Sequence, residues 1–384
     1  MGELVDRVVR KNTNNESTLP LTISAQYGLV DQITYFNNRV ASRDVSNYYL
    51  VLNGEFAYNK STSDGYPFGA VKRLDLYEKG VLSTLYIVFS PKKEQQVDSD
   101  FLTVFFDTDR WHKGVAERAA EGARNHGLLN ISAEDFFDID LSVPKDVAEQ
   151  KQIGAIIRQL DNLITLHQRK YDKLTNVKKS MLEKMFPQNG SNVPEIRFKG
   201  FTEAWEQRKL GEVAKYRNGK AHENCIDESG KYIVVNSKFV STNGTVIKHS
   251  NMQNEPLAQN EIAFVLSDVP NGRAIARTFL VEENDKYTLN QRIAGITSSE
   301  NTYPYFLHIL MNRHPYFLAF DDGVKQTNLS VSDVLNFETY YPEYEEQKQI
   351  GEYFRNLDRL ITLHQRELEK LKKLKKACLE KMFV

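Results

Sequence analysis

A seven-residue apolar pattern runs along two long segments of the chain and predicts two long helices. In the first segment, one side chain at every seventh position forms a stripe: Ile153, Leu160, His167, Leu174 and Met181. The second segment repeats this stripe with Ile350, Leu357, His364, Leu371 and Cys378. Apolar heptads sustained over this length are typical of a coiled coil. We therefore predict two helical rods whose natural partners are each other.

A second apolar stripe follows the first at an offset of three residues. We expect it to complete the seam between the rods, and it comprises Ile156, Leu163, Val177, Tyr353, Leu360 and Leu374. Side chains one position further on widen the apolar face of the first rod: Ile157, Ile164, Tyr171 and Met185. A rod of some 35 residues would be about 50 Å long at 1.5 Å per residue.

The two segments are copies of each other. Residues 149–186 and 346–383 align without a gap and are identical at 25 of 38 positions. A repeat spaced by nearly half the chain is too long for a solenoid unit, so it predicts two copies of a larger module. Prolines before the rods and after the first one mark the boundaries. The predicted division is a first head at 1–142, a helical region at 143–187, a second head at 188–341 and a helical region at 342–384.

Each head has the short apolar runs and turn signals of a mixed α/β (α+β) domain. The predicted strands are Tyr49 to Leu52, Leu85 to Phe89, Tyr232 to Val235, Glu261 to Leu266 and Phe279 to Val281. Short apolar helices are predicted at Phe101 to Phe106 and at Tyr305 to Met311. Faint duplication extends into the heads, since Asn130-Ile131-Ser132 matches Asn328-Leu329-Ser330. The bodies of the heads otherwise differ.

The distribution of charge limits which partners the heads could bind. Net charge is −1, each repeated segment carries +4, and the remainder carries −9. Binding of a nucleic acid by the heads would therefore depend on local basic and polar surfaces, because the chain outside the two repeats carries a net negative charge. The chain has no signal-peptide run and no stretch of membrane-spanning length. With only Cys225 and Cys378, we expect a reduced cytoplasmic protein.

No motif in the sequence indicates catalysis. There is no phosphate-binding loop, no methyltransferase signature and no zinc spacing among the cysteines. The triplets Glu149-Gln150-Lys151 and Glu346-Gln347-Lys348 fit half of a nuclease metal site, but they fall in the first turn of a rod, where a glutamate complements the helix dipole. His167 and His364 are interpreted as a polar seam layer rather than metal ligands. We predict no catalytic residue, no metal and no cofactor in this chain.

The repeated blocks resemble a known family. EQKQI, LITLHQR and LEKMF, together with Pro194 to Phe201, Trp205 and Leu210-Gly211-Glu212, resemble the specificity (S) subunit of a type I restriction-modification system. The resemblance implies that each head is a target-recognition domain for one half of a bipartite double-stranded DNA target. It implies that the rods form an antiparallel coiled coil with pseudo-two-fold symmetry, which sets the half-site spacing. It also implies two modification (methyltransferase) subunits and restriction subunits as partners, with S-adenosylmethionine, ATP and Mg²⁺ only in those partners.

One segment breaks the duplication. Pro194 to Lys209 leads into the second head, whereas the first head begins directly at Met1-Gly2-Glu3. We expect either that the start codon omits a segment about as long as one helix, or that the chain is naturally short at this point.

Forked donors and amides beside turns are the candidate DNA-reading residues, because Arg and Lys pair with guanine and Asn and Gln pair with adenine. The second head offers Asn271, Arg273, Arg277, Asn290, Gln291, Arg292, Lys325 and Gln326. The first head offers Lys60, Ser61, Tyr66, Lys72, Arg73, Arg124, Asn125 and His126.

Two other functions fit the same pattern. One is a coiled-coil scaffold that holds two protein-binding heads, and the other is an enzyme with an unrecognised site. The different heads on duplicated rods favour the non-catalytic DNA-specificity subunit, because a symmetric scaffold would have little reason to diversify both ends.

Overall fold

The computed structural model describes residues 1–24, 27–92, 97–119, 127–188 and 190–383. The chain forms two compact units. Unit 1 comprises Met1–Gln168 and Arg366–Val384, and unit 2 comprises Arg169–Gln365. Each unit therefore combines one head with parts of both long helices.

Unit 1 contains the first head. Its strands are β1 Val5–Arg7, β2 Leu21–Ser24, β3 Gly28–Asp31, β4 Tyr49–Leu52, β5 Phe56–Asn59, β6 Ala70–Arg73, β7 Lys79–Leu82 and β8 Ile87–Pro91. Its helices are α1 Gln32–Phe36, α2 Ser99–Phe105, α3 His112–Arg118 and α4 Ala133–Phe137, followed by the first half of α5 Val147–Lys184. The central sheet has the antiparallel order β1-β8-β5-β6.

Unit 2 contains the second head. Its strands are β9 Glu206–Lys209, β10 Ala214–Asn218, β11 Tyr232–Val235, β12 His249–Ser250, β13 Ile262–Val265, β14 Ser267–Asp268, β15 Thr278–Leu280, β16 Tyr287–Leu289, β17 Ile293–Ser298, β18 Thr327–Asn328 and β19 Glu338–Tyr341. Its helices are α6 Leu210–Val213, α7 Ser237–Ser241, α8 Pro304–Met311, α9 Pro315–Leu318 and α10 Val331–Leu335, followed by the first half of α11 Tyr344–Met382.

The two heads share one half of their architecture. The central sheet of unit 2 has the order β10-β17-β13-β15, which repeats the order of unit 1 strand for strand. Ser132 begins α4 with a capping box to Asp135, and Ser330 begins α10 with the same box to Asp333. Beyond this shared half the heads differ, because unit 2 adds the sheet β12-β11-β16 and unit 1 adds the strand pairs β2-β3 and β4-β7. The predicted duplicated α/β heads are confirmed.

Helices α5 and α11 have 38 and 39 residues, so each is close to 60 Å long at 1.5 Å per residue. In unit 1 the early part of α5 packs on the end of α11, where Lys375 Nζ lies 2.6 Å from Asp161 Oδ1. In unit 2 the late part of α5 packs on the start of α11, where Lys178 pairs with Asp358. The predicted antiparallel pairing is confirmed. Across the described residues, no helix is long and apolar enough to cross a membrane.

The second stripe of the predicted seam is wrong at four of its six positions, whereas Val177 and Tyr353 are half-buried and pack against the core of unit 2. Ile156, Leu163, Leu360 and Leu374 are 40, 43, 44 and 48 % exposed. The side chains at an offset of four are buried instead, with Ile157 and Phe354 at 1 and 0 % exposure. The reason is that each head covers this side of its helix, so that the apolar face is shared between the head and the partner helix. The first stripe is buried or half-buried throughout: Ile153, Leu160, His167, Leu174, Met181, Ile350, Leu357, His364 and Leu371.

A buried glutamine from the repeated block EQKQIG attaches each head to its helix. In unit 1, Gln150 Oε1 accepts a hydrogen bond from the Asp98 backbone N–H at 2.8 Å, and Gln150 Nε2 donates to the Pro144 carbonyl at 2.7 Å. Asp98 is the N-cap of α2, so one side chain joins the start of a head helix to the start of α5. Each side chain with its two backbone partners is here called the glutamine joint.

The glutamine joint recurs in unit 2. Gln347 Oε1 accepts from the Tyr303 backbone N–H at 3.0 Å, and Gln347 Nε2 donates to the Pro342 carbonyl at 2.9 Å. The glycine of the same block allows close packing in both units. A Cβ on Gly154 would lie 2.8 Å from the Phe101 nitrogen, and one on Gly351 would lie 2.6 Å from the Tyr303 ring. The repeated block therefore encodes the attachment of head to rod.

We predict that Gln150→Ala destabilises the chain by about 2–4 kcal/mol, because it leaves two buried backbone groups without hydrogen-bond partners. Gln152→Ala is the matched control, since Gln152 lies two residues further along the same block and is exposed. Its effect should stay within about 0.5 kcal/mol. Urea unfolding of the full chain measures both. Equal destabilisation by the two substitutions would contradict the role of the joint.

Candidate DNA interface

A cleft in the second head brings four of the candidate residues together. Asn290, Gln291, Arg292 and Gln326 all line it. The first three form the connection between β16 and β17, and Gln326 directly precedes β18. Amide and guanidinium groups on one concave surface can make the paired hydrogen bonds that base edges in the major groove require.

Arg292 is held in an unusual backbone conformation at this cleft. Its φ is +66°, in the left-handed region, which costs a residue with a side chain about 1–2 kcal/mol. The carbonyl of Arg292 accepts a hydrogen bond from the Leu266 backbone N–H at 3.0 Å, which ties the connection to the central sheet. The side chain itself is exposed. The fold thus fixes the point from which this guanidinium extends, and such strain tends to cluster at functional sites.

Three arginines lie together next to the cleft. Arg277 Nε donates to the Arg273 carbonyl at 2.6 Å, and Arg313 donates to the Ile275 carbonyl at 3.3 Å. Burial lowers the pKa of Arg277, and the nearby positive charges of Arg313 and Arg273 lower it further. Asp268 shapes the turn that carries them, because its carboxylate accepts from the Ile275 N–H at 3.0 Å. A DNA phosphate would relieve the repulsion among these cations.

The remaining candidates of the second head are partly oriented by their neighbours. Gln326 Nε2 donates to Ser267 Oγ at 2.7 Å, Asn271 Nδ2 donates to the Gly323 carbonyl at 3.2 Å, and Gln291 Nε2 donates to Glu223. Lys325 is exposed. Each amide keeps its carbonyl oxygen as an acceptor while its nitrogen is held in place.

The candidates of the first head fall into two places. Lys60 Nζ donates to the Ile131 carbonyl at 3.3 Å, and Ser61 forms a β-bridge with Leu128. Tyr66 and Lys72 line a separate cleft, where Lys72 Nζ lies 2.6 Å from Asp107 Oδ1. Arg124, Asn125 and His126 lie outside the described residues.

Arg73 has a structural environment that argues against contact with DNA. Its side chain is only 8 % exposed, with Nε 2.7 Å from Asp75 and a terminal nitrogen 2.8 Å from Asp100. The same terminal nitrogen donates to Ser99 Oγ at 2.8 Å, at the start of α2. The guanidinium therefore binds the sheet to α2, and we leave Arg73 out of the proposed interface.

Several exposed side chains were not among the predicted residues. Between β3 and β4 the first head exposes aromatic, apolar and basic side chains in one stretch: Tyr35, Phe36, Arg39, Val40 and Arg43. In the second head Val269 lines the cleft and is 63 % exposed. Interleaved aromatic and basic residues are a recognisable signal for nucleic-acid contact, but a search for forked donors at turns does not detect it.

The other chemistry considered from the sequence has a structural setting. Glu346 is fully buried, and its carboxylate receives two hydrogen bonds from Arg197, each of 2.7 Å. Glu149, its counterpart in the first repeat, is exposed. His167 and His364 are half-buried on their helices. Among the residues with described positions, no group of three or more His, Cys, Asp or Glu side chains is arranged to hold a metal ion.

Comparison with known proteins gives consistent results. The sequence profile of the type I restriction modification DNA specificity domain matches residues 78–176 and 202–373. The MjaVIII specificity subunit of a type I restriction enzyme from Methanocaldococcus jannaschii is 24 % identical, over 89 % of this chain and 82 % of that protein. The putative MjaX specificity subunit from the same organism is 21 % identical over 96 % of this chain and 84 % of that protein.

A solved structure has the same fold. The crystal structure of the type I S subunit from M. genitalium superposes with a TM-score of 0.64 and 13 % identity, covering 100 % of this chain and 94 % of that one. The profile match spans well over half of the residues, in both heads and both long helices. The chain therefore belongs to the type I restriction-modification DNA specificity family, as a DNA-recognition subunit that is not itself an enzyme.

Proposed function

We propose that this chain reads a bipartite double-stranded DNA target, with one half-site recognised by each head. The observation that carries the proposal is the cleft of Asn290, Gln291, Arg292 and Gln326 beside the Arg273–Arg277–Arg313 cluster. Amides and a guanidinium would read base edges, and the arginine cluster would hold the backbone. In the first head, Lys60, Ser61, Tyr66 and Lys72 remain the candidates, joined by the exposed aromatic and basic stretch before β4.

Helices α5 and α11 would set the half-site spacing and dock two modification subunits. The support is a pair of exposed leucines that recurs in each copy of the LITLHQR block. Leu163 and Leu166 are 43 and 47 % exposed in unit 1, and Leu360 and Leu363 are 44 and 53 % exposed in unit 2. An apolar surface present twice in one chain fits two copies of one partner.

Restriction subunits would join this assembly, which would act in the cytoplasm. S-adenosylmethionine, ATP and Mg²⁺ would bind in the partner subunits, and this chain would supply only the choice of DNA sequence. Methylome sequencing of a host that expresses the chain with its modification subunit identifies both half-sites and the spacer, and thereby defines the duplex for binding experiments.

We predict that Arg292→Ala weakens binding through one half-site and Lys72→Ala through the other. Loss of one good bidentate base contact costs about 1–3 kcal/mol, or roughly 5- to 150-fold in affinity. Fluorescence anisotropy on duplexes with either half-site scrambled measures this. Once its own half-site is scrambled, a variant should bind no worse than the unsubstituted chain.

Two controls accompany these variants. Arg208→Ala removes an exposed arginine that pairs with Glu206 on β9, away from the cleft, and should leave binding unchanged. Asp107→Asn breaks the ion pair of Lys72 while keeping the lysine. If Asp107→Asn weakened binding as much as Lys72→Ala, the effect of Lys72→Ala would come from loss of the Lys72–Asp107 ion pair and not from loss of a contact with DNA. If Arg292→Ala and Lys72→Ala depended on the same half-site, the division between heads would be wrong.

We predict that Leu163→Asp with Leu166→Asp reduces the bound modification subunits from two to one, and that adding Leu360→Asp with Leu363→Asp removes both. A carboxylate in the apolar contact would be buried without a partner. Native mass spectrometry of the assembled complex counts the subunits.

Thr165→Asp and Thr362→Asp are the matched controls, since both threonines are exposed in the same repeated block. They add the same charge beside the leucines and should retain both subunits. Full occupancy in the quadruple leucine variant would exclude this surface as the docking site.

A further inference from the structure

A single carboxylate holds a turn beside the cleft of the second head. Asp268 ends β14 and lines the cleft. Its Oδ1 accepts a hydrogen bond from the Val269 N–H at 2.9 Å, and its Oδ2 accepts from the N–H groups of Ala274 and Ile275 at 2.5 and 3.0 Å. The chain therefore leaves this carboxylate at residue 269 and returns to it at residue 274. Residues Val269–Arg273 are here called the Asp268 turn.

The backbone of the Asp268 turn lies tightly against the carboxylate. The Gly272 N–H donates to the Val269 carbonyl at 2.9 Å, which closes the turn. A Cβ on Gly272 would lie only 2.1 Å from Asp268 Oδ2, so any larger residue would displace the carboxylate. On the other side, Asn271 Nδ2 holds the turn to the Gly323 carbonyl. Contacts on two sides thus fix the conformation of the turn.

Asp268 is itself attached to another part of the cleft. Strand β14 pairs with β18 in antiparallel register, with Ser267 opposite Asn328 and Asp268 opposite Thr327. Gln326 Nε2 donates to Ser267 Oγ at 2.7 Å next to this pairing. The carboxylate therefore joins the Asp268 turn to the strand pair that carries a second cleft residue.

The position of this carboxylate is unfavourable for DNA binding by charge alone. A negative group on a surface that faces DNA repels the phosphates. Its two oxygens already accept three N–H groups, so most of its capacity as an acceptor is used within the chain rather than left for a base. What the carboxylate does provide is a fixed turn, from which the exposed side chains of Val269, Asn271 and Arg273 extend.

We propose that Asp268 is a positioning residue for DNA recognition, which holds the Asp268 turn so that Val269, Asn271 and Arg273 contact the half-site read by the second head. The proposal rests on the proposed reading of DNA by this cleft, and it adds a residue that acts through the turn rather than through its own contact with DNA. A carboxylate suits this role because it accepts hydrogen bonds on both oxygens, whereas a carboxamide accepts on only one.

The test uses two substitutions that disturb the same contact but differ in charge. Asp268→Asn removes the charge and one of the two acceptor oxygens, and Gly272→Ala keeps the charge but places a Cβ where the carboxylate lies. By fluorescence anisotropy on the duplex defined by methylome sequencing, each should lower the affinity of the full chain about tenfold, the effect of losing one good base contact. Scrambling the half-site of the second head should abolish the difference.

The direction of the change separates positioning from electrostatics. If only the charge of Asp268 mattered, Asp268→Asn would strengthen binding and Gly272→Ala would leave it unchanged; either result would overturn the proposal. Combining the two substitutions should weaken binding no further than the more harmful one alone, because both disturb one contact. Asp227→Asn is the matched control, since Asp227 accepts from the N–H and hydroxyl of Ser229 in a turn that does not line the cleft. It should not weaken binding.

Hydrogen exchange of the chain without DNA, followed by mass spectrometry, provides a second measurement. The Ala274 and Ile275 amides should exchange faster in both variants, because they lose their acceptor. Unchanged exchange would show that the carboxylate does not hold the turn and would overturn the proposal. Faster exchange with unchanged DNA binding would overturn it too, while the proposed function would stand as long as Arg292→Ala still weakened binding through this half-site. If Arg292→Ala also had no effect, the cleft would not read DNA and both would fail.

Discussion

The glutamine joint is the interaction on which the rest of the architecture depends. A carboxamide offers one strong acceptor and one strong donor on the same rigid group, and here these meet an amide N–H from the head and a carbonyl before the long helix. Glutamate lacks the donor and leucine lacks both, so neither could replace it. Burial of the group makes each hydrogen bond costly to lose. The joint therefore fixes the start of α2 against α5 in unit 1 and the start of α8 against α11 in unit 2.

Because the joint and the shared sheet fix the base of each head, the rest of the head can vary. The β1-β8-β5-β6 order and its counterpart in unit 2 are common to both, whereas the additional sheets are not. In the second head, the cleft residues lie on connections that leave the shared strands, as Arg292 does between β16 and β17. The left-handed backbone of Arg292 is tolerated there because β17 is paired on both sides, with β10 and β13. The shared base thus supports a different surface in each copy.

The sequence predicted the features that occur twice in the chain and those in which apolar residues follow a regular spacing. The long antiparallel helices followed from the heptads, and the strands at Tyr49–Leu52 and Tyr232–Val235 have the predicted limits. Four positions of the second seam stripe were wrong because residues at offsets of three and four are both apolar, and only the position of the head decides which are buried. Arg73 looked like a base-reading residue because nothing local shows that Asp100, on a different element, neutralises it. The exposed stretch from Tyr35 to Arg43 was missed because its signal is the interleaving of aromatic and basic side chains, which the search for donors at turns did not consider.

Identical residues in the two repeats separate into three groups by burial, and each group has its own physical reason. Gln150 and Gln347 are buried alike, which folding alone explains. Glu149 and Glu346 differ, since Glu346 alone contacts an arginine from the preceding segment. The leucines of the LITLHQR block are exposed alike, and folding cannot explain them, because an exposed leucine contributes little to stability and any helix-forming residue would serve. Two identical apolar surfaces that contribute little to the fold support the proposal that two copies of one partner dock there.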